Sequence, residues 1–335
     1  MKGLICITPF YRMEFAPRGE VYTCCPGWVK TSIGNIRDNT IEEIWNSDKA
    51  RALRRKIYSG DVESVCHRIC PNLMAAKHQG TLIVSDDLNR FDYITPELAN
   101  EIREGKDFLD SFPTIYNMSN SSVCNLSCIM CVRNNIEDDH VLMQKAMNDV
   151  AGHLANARRI KLTGMGDPFA RSDTRNFMIN TGPFTNITID LITNALLLPK
   201  YWNQIKHHHF SVLVVSVDAA TKSTYEKIRI GGKWENLLES LDLIKKNICR
   251  FKDVEINMTV MRENYQEIPL FLNMAQGYGF NASFQRIRGD HGTQNIFNPK
   301  DQKALSVLRE ILNREFPQKR NIFIKWGDMF EFIGG

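Results

Sequence analysis

No stretch of this 335-residue sequence is apolar for long enough to cross a bilayer. The opening Met1-Lys2-Gly3-Leu4-Ile5-Cys6-Ile7 is briefly apolar but has neither an h-region nor a small-residue cleavage site, so it does not read as a signal peptide. An excess of one charge is missing too. The 42 Lys and Arg against 38 Asp and Glu leave a formal charge of +4, too mild to argue for nucleic acid or a membrane surface. The short basic runs Arg54-Arg55-Lys56 and Lys245-Lys246 read as solvated helix faces. A cytoplasmic protein is expected, with neither nucleic acid nor membrane as partner. In that compartment its nine cysteines are not a disulfide framework; they ligate metal or pack in the core. The gap between Cys70 and Cys124 holds no cysteine, which divides the thiols into an early set, a compact central set and the lone Cys249.

The central set is Val123-Cys124-Asn125-Leu126-Ser127-Cys128-Ile129-Met130-Cys131, with C-x3-C-x2-C spacing. Three thiolates can converge from such a loop. Three thiolates and a vacant fourth position leave one iron of a cubane cluster open to a small molecule. A structural zinc site ordinarily takes four protein ligands, and neither a His nor a fourth Cys follows nearby. The early set has four soft ligands, Cys6, Cys24, Cys66 and Cys70, with Cys25 adjacent to Cys24. On a strand Cys24 and Cys25 face opposite ways, so only one of them should ligate. Four cysteines suit a closed cluster or a zinc ribbon.

Around the early set, Tyr11 to Ala16 and Val21 to Cys25 read as a hairpin turning at Pro17-Arg18-Gly19-Glu20. Thr40-Ile41-Glu42-Glu43 signals a capping box, and Ser47 to Ser59 reads as a helix ended by Gly60. Residues 1–75 form a first segment. Residues 76–113 read as a linker, with a short strand at Thr81 to Ser85 and a helix from Thr95 to about Asp107.

From 114 to 335 strands alternate with helices. Strands are expected at Thr114–Met118, Arg159–Leu162, Asn186–Thr193, Ser211–Val217, Val254–Val260 and Ala282–Ile287. Helices are expected at Val141–Ala157, Lys200–Lys206, Lys233–Cys249, Tyr265–Gly279 and Lys300–Phe316, with a last strand at Asn321 to Trp326. Near-continuous apolar strands suit a parallel sheet covered by helices. Six βα units imply an α/β fold, a partial (β/α)6 TIM-like barrel or a doubly wound sheet, with function at the carboxyl ends of the strands.

Those strand ends carry Gly164-Met165-Gly166-Asp167-Pro168, then Thr193-Asn194, then Ser216 and Asp218. The first offers exposed backbone groups beside one carboxylate, suited to an ammonium group. Ser216 and Asp218, two apart on a strand end, should point the same way, toward ribose hydroxyls. Arg229, before Gly231-Gly232, suits a carboxylate in a bidentate fork. An amine, a carboxylate and a ribose around an open iron describe S-adenosylmethionine. Arg286 and Arg288 suit an anionic substrate or the cofactor. His207-His208-His209 reads as a solvated turn, and Cys249 as structural.

With these residues assembled, the chain resembles the radical S-adenosylmethionine (radical SAM) superfamily from Thr114 to about Arg288. Cys124, Cys128 and Cys131 match its cysteine loop, and Met130 stands where an aromatic is usual. Gly164 to Pro168 stands at its Gly-Gly-Glu-Pro-like turn, with Met165 in place of the second glycine and Asp167 in place of Glu. Thr193, Asn194, Ser216, Asp218 and Arg229 fall at its other cofactor positions. Residues 1 to 70 resemble a SPASM/twitch auxiliary-cluster domain, which usually follows the barrel and here precedes it. The resemblance implies a [4Fe-4S] cluster at Cys124, Cys128 and Cys131, bound S-adenosylmethionine, and one auxiliary [4Fe-4S] cluster at Cys6, Cys24, Cys66 and Cys70. A reduced cluster would generate a 5′-deoxyadenosyl radical that abstracts hydrogen from a substrate C–H. A flavodoxin- or ferredoxin-type donor is the implied partner. The expected reaction is oxidation or epimerisation of a small polar metabolite such as a sugar or aminocyclitol. The alternatives are a maturase of a ribosomally made peptide and a non-enzymatic zinc- or cluster-stabilised binding module.

Overall fold

A computed structural model of the chain describes residues 4, 6–68, 70, 72–74, 85–119, 121–131, 139–162, 166–182, 186–297 and 301–333. The chain divides into two compact units. One comprises Met1–Ser122, Ile136–Gly164 and Asn180–Ile189; the other comprises Val123–Asn135, Met165–Ile179 and Asp190–Gly335.

The first unit opens on the expected hairpin. β1 (Arg12–Phe15) and β2 (Glu20–Tyr22) pair antiparallel, and β3 (Gly34–Asn35) adds to β2. Gly19 makes the turn at φ +86°, and a Cβ there would stand 2.6 Å from Asn35 Oδ1 and 2.7 Å from Leu142 Cδ2. A side chain is therefore excluded both by conformation and by space. α1 (Ile41–Trp45) starts at the full capping box of Thr40 and Glu43. α2 (Asp48–Ser59) runs from the Ser47 cap to Gly60 at φ +79° and buries Ala50, Leu53 and Ile57.

Arg54 corrects the reading of a solvated basic run. It is fully buried and donates to the carbonyls of Pro9, Trp45 and Asp107 and to Asn46 Oδ1, with its guanidinium 4.2 Å from the Trp45 ring centre. Burial lowers its pKa to about 10, which still leaves it charged. Four acceptors and an aromatic face replace the water it gives up. Its neighbour Arg55 stays exposed and pairs with Asp107.

The segment expected as a linker packs onto these helices. α3 (Pro96–Arg103) has Thr95 as its cap. Beyond it, the Ser111 and Leu109 carbonyls accept from Trp45 Nε1 and Asn46 Nδ2. Of the strand expected at Thr81 to Ser85, 81–84 lie outside the described residues, and Ser85 starts a 3-10 turn. β4 (Ile115–Met118) pairs in parallel with β1 on one side and with β5 (Arg159–Leu162) on the other. A strand of the first 75 residues thus sits in register with the first strand of the βα series, so the compact units cut across the segments expected from sequence. α4 (His140–Gly152) connects β4 to β5.

α5 (Ser172–Asn180) then leads to β6 (Thr188–Thr193). The Thr188 amide donates to the Arg158 carbonyl in the first unit, and the Val212 amide reaches Asp190 Oδ1 in the second.

In the second unit α6 (Leu198–Ile205), β7 (Phe210–Ser216), α7 (Lys222–Ile228), α8 (Trp234–Lys246), β8 (Phe251–Val260), α9 (Ile268–Tyr278), β9 (Asn281–Arg286), α10 (Gln302–Glu315) and β10 (Ile324–Lys325) follow. Strands β7 to β10 pair in parallel, in chain order. The fold is the expected mostly parallel α/β arrangement, consistent with a partial TIM-like barrel. On α8, Leu237, Leu241 and Ile244 are buried while its charged residues face outward, as the 3.6 period dictates. The histidine run needs a second correction: His208 is buried, 2.6 Å from the Met178 carbonyl. Cys249 is exposed on a 3-10 turn rather than packed. Among the described residues no helix is long and apolar enough to cross a membrane.

Candidate functional site

The Cys124–Cys131 loop lies in the second unit and is tethered by backbone bonds. The Ser127 amide donates to the Ile230 carbonyl (2.9 Å), and that of Ile129 to the Ile228 carbonyl (3.0 Å). Leu126 is buried as an anchor. Gly231, at φ +93°, lies against Asn125 and Leu126. Met130 and Ile129 pack with Phe297 onto buried Ile228, Met261 and Ile287. The loop is therefore clasped along the end of α7 and the turn after it. Cys124 Sγ faces two donors, the Leu126 amide at 3.4 Å and Asn194 Nδ2 at 3.7 Å.

Asp167 is almost wholly buried and tied on both oxygens. One accepts from the Thr193 hydroxyl (2.7 Å) and the Asn194 amide (2.9 Å), the other from the Phe169 amide (3.0 Å). Its own amide donates to the Val123 carbonyl. Burial pushes its carboxyl above the usual carboxylate range, against the pull of these bonds. Asp167 therefore joins the end of β6 to the base of the cysteine loop, instead of offering a free carboxylate. Gly166 precedes it in a bend, while Gly164 and Met165 lie outside the described residues. Ala195 follows Thr193 and Asn194 at φ +63°, uncommon for a residue with a Cβ.

Ser216 and Asp218 differ in backbone and in burial. Ser216 ends β7, half-buried, whereas Asp218 lies beyond the strand at φ +62° and is fully buried. The left-handed residue breaks the period-2 alternation on which the expectation rested. One Asp218 oxygen accepts from the Thr259 amide (2.6 Å), and the other pairs with Arg229. The Asp218 carbonyl accepts from Asn264 Nδ2 (2.8 Å). Burial opposes the charge of Arg229, but Asp218 outweighs it and holds the guanidinium protonated. Arg229 Nε is buried and has no hydrogen-bond partner among the described residues.

Arg288 is 60% exposed, 3.8 Å from Asp328, and no described hydrogen bond or ion pair joins it to the cysteine loop. Arg286 pairs with Asp328 and Glu331. Sequence reasoning missed Thr259 and Asn264 as supports of Asp218. They lie 41 and 46 residues further along, and no local signal marks them.

In the first unit, backbone contacts bring together two of the segments that carry the early cysteines. Cys66 bridges to Val29, and the His67 amide bonds the Trp28 carbonyl, bringing the post-helix loop to the hairpin. Cys6 Sγ meets the Thr8 amide at 3.4 Å and Asn72 Nδ2 at 3.5 Å. Burial pushes the Cys24 thiol up to about 12 and that of Cys66 to about 11; Cys6 adds to both and Cys70 to the second. Cys6 thus acts on both Cys24 and Cys66, whereas Cys25 Sγ lies toward Gly27. No disulfide joins any of the nine cysteines, and among the described residues no three His, Cys, Asp or Glu side chains are grouped to hold one metal ion.

Two family models match the chain: an iron–sulfur cluster-binding domain (SPASM) over residues 6–71, and the radical SAM superfamily over residues 118–275. Residues 118–275 are a radical SAM domain. Its SPASM domain is N-terminal to its radical SAM domain, as the sequence implied. The two domains imply a SAM-binding [4Fe-4S] cluster, S-adenosylmethionine and an auxiliary iron–sulfur cluster. The two free-thiol sets, the amides aimed at Cys124 Sγ and the orphaned Arg229 Nε fit such groups.

A probable GTP 3′,8-cyclase of Methanococcus maripaludis is 26% identical over 238 residues, 65% of this chain and 75% of that protein. A GTP 3′,8-cyclase of Lactiplantibacillus plantarum is 25% identical over 186 residues, 52% of this chain and 55% of that protein. Among solved structures, Streptococcus suis SuiB bound to S-adenosylmethionine matches at 17% identity and a TM-score of 0.47, over 85% of this chain. This chain spans 63% of the SuiB chain.

Proposed function

We propose that Cys124, Cys128 and Cys131 hold the SAM-binding cluster of this radical SAM enzyme, and that Cys6, Cys24, Cys66 and Cys70 hold its auxiliary cluster. The observation that carries the reading is a three-thiol loop clasped in one unit beside a buried, charged Arg229 with a spare donor. When bound, the cluster and S-adenosylmethionine together supply a 5′-deoxyadenosyl radical that takes a hydrogen atom from a substrate C–H.

The chain's own residues bind and orient. Arg229 Nε would donate to the methionyl carboxylate, with Asp218 fixing the guanidinium and keeping it charged. Asp167 shapes the turn that receives the methionyl amine, and backbone carbonyls of that turn make the contact because both its own oxygens are taken. Ser216 offers a hydroxyl for the ribose. Asn194 steadies Cys124 and, through Asn125 Oδ1 at 2.9 Å, the loop itself. Met130 contributes an apolar wall.

The substrate class we favour is a small polar metabolite undergoing oxidation or epimerisation. Relatives named for a reaction of GTP are compatible with a small polar substrate. Four thiols at the auxiliary site leave no open position, which suits electron transfer away from a substrate radical, while a flavodoxin- or ferredoxin-type donor supplies the electron that the SAM-binding cluster needs.

Anaerobic reconstitution with iron and sulfide, followed by dithionite and S-adenosylmethionine, tests the reading. 5′-Deoxyadenosine should form, and C124A should abolish it. A protein that takes up zinc alone and forms none would end the proposal. Deuterium transfer into 5′-deoxyadenosine from labelled sugars or aminocyclitols, GTP or a peptide then sorts the substrate classes.

A further inference from the structure

Tyr225 lies on α7, one helical turn before Arg229, and is fully buried. Its ring meets Trp234 edge-on, with centres 5.6 Å apart. That contact needs only an aromatic ring; phenylalanine would serve. The hydroxyl is unexplained, because Oη is buried and has no hydrogen-bond partner among the described residues. A buried hydroxyl left unpaired is destabilising, and such a group calls for a physical account.

The phenol end abuts the turn that clasps the cysteine loop. A Cβ on Gly232 would stand 3.0 Å from Tyr225 Oη, so glycine is what lets the hydroxyl fit there. The preceding Gly231 lies against Asn125 and Leu126, and the Ile228 and Ile230 carbonyls hold the amides on either side of Cys128. After its own burial, Arg229 and then Cys128 act most strongly on the Tyr225 phenol. Arg229 Nε and Tyr225 Oη are thus two orphaned donors, one on α7 and one at the residue that caps its end, beside one thiol-bearing loop.

We propose that Tyr225 is a positioning residue whose phenol O–H donates a hydrogen bond to sulfur of the group held at Cys128. The proposal rests on the cofactor reading above and goes beyond it. A donor on sulfur draws electron density from the iron it serves, so the group accepts an electron more readily. Arg229 then serves the bound S-adenosylmethionine and Tyr225 the metal group.

The test uses full-length protein with both clusters reconstituted. The midpoint potential of the SAM-binding cluster is followed by EPR in wild type, Y225F and a Tyr225→3-fluorotyrosine variant, with C128A as reference. Y225F loses one oxygen and keeps the Trp234 contact. Its potential should fall below wild type at equal iron content and unchanged thermal stability. 3-Fluorotyrosine, a stronger donor on the same ring, should move the potential upward. Equal potentials and EPR spectra in wild type, Y225F and the fluorinated variant would overturn the role of Tyr225. A C128A protein that keeps a normal SAM-reactive cluster would instead overturn the cofactor reading, whatever Tyr225 does.

Discussion

The buried pair of Arg229 and Asp218 sets the cost of change at the residue scale. R229Q leaves Asp218 charged with no exposed surface and only the Thr259 amide on its side chain. Losing one member of a buried pair costs about 3–5 kcal/mol. Denaturant unfolding should show that loss, and D218N/R229Q should recover part of it. His208 makes a separate prediction. Burial holds its imidazole below the ordinary value despite the bond to the Met178 carbonyl. The unfolded chain takes up its proton near pH 6.5 while the folded chain resists until lower pH. Stability therefore falls as pH drops through about 6.5, and H208Q should flatten that part of a stability–pH profile; an unchanged slope would show His208 has no share in it. At this scale the cysteines were legible because ligand spacing is local in sequence. The placement of Asp218 was not, because its left-handed backbone and the support of Thr259 and Asn264 come from distant chain.

At the scale of elements, helices with a clean apolar stripe were readable and α5 was not. Its buried positions include Asp173 and Thr174 beside Phe177 and Met178, so polar groups break the stripe. Arg171, fully packed, pairs with Asp173. The hairpin was readable down to its turn, and the structure adds the reason: Gly19 has neither the conformation nor the space for a side chain. G19A should destabilise the first unit by about 2 kcal/mol or more, from strain plus displacement of Asn35 and Leu142. Thermal unfolding and iron uptake at the early cysteines would both report it. If G19A binds iron and melts like wild type, the turn is less constrained than the geometry indicates. Strand limits shifted by one to three residues, as with β8, expected from Val254 and starting at Phe251. Chain-end pairing decides such limits, and local pattern does not.

At the scale of the whole molecule, two thiol sets in one chain should load independently. Replacing Cys124, Cys128 and Cys131 together should remove roughly half the iron and all 5′-deoxyadenosine formation, leaving the spectrum of a closed cluster. Replacing Cys6 and Cys66 should remove the other half and spare S-adenosylmethionine binding. The α/β class was readable because strand and helix periods alternate over some two hundred residues of sequence. The pairing of β1 with β4 was not, since nothing in either strand names its partner. That pairing also bears on how the chain is made. On the ribosome β1 emerges with one edge free, and the partner for that edge lies 103 residues further on. At about 5–20 residues per second, the open edge waits roughly 5–20 seconds before β4 arrives. Until then the nascent hairpin has an unpaired strand open to neighbouring chains, and slow elongation between residues 20 and 118 should raise the share of newly made protein lost to aggregation.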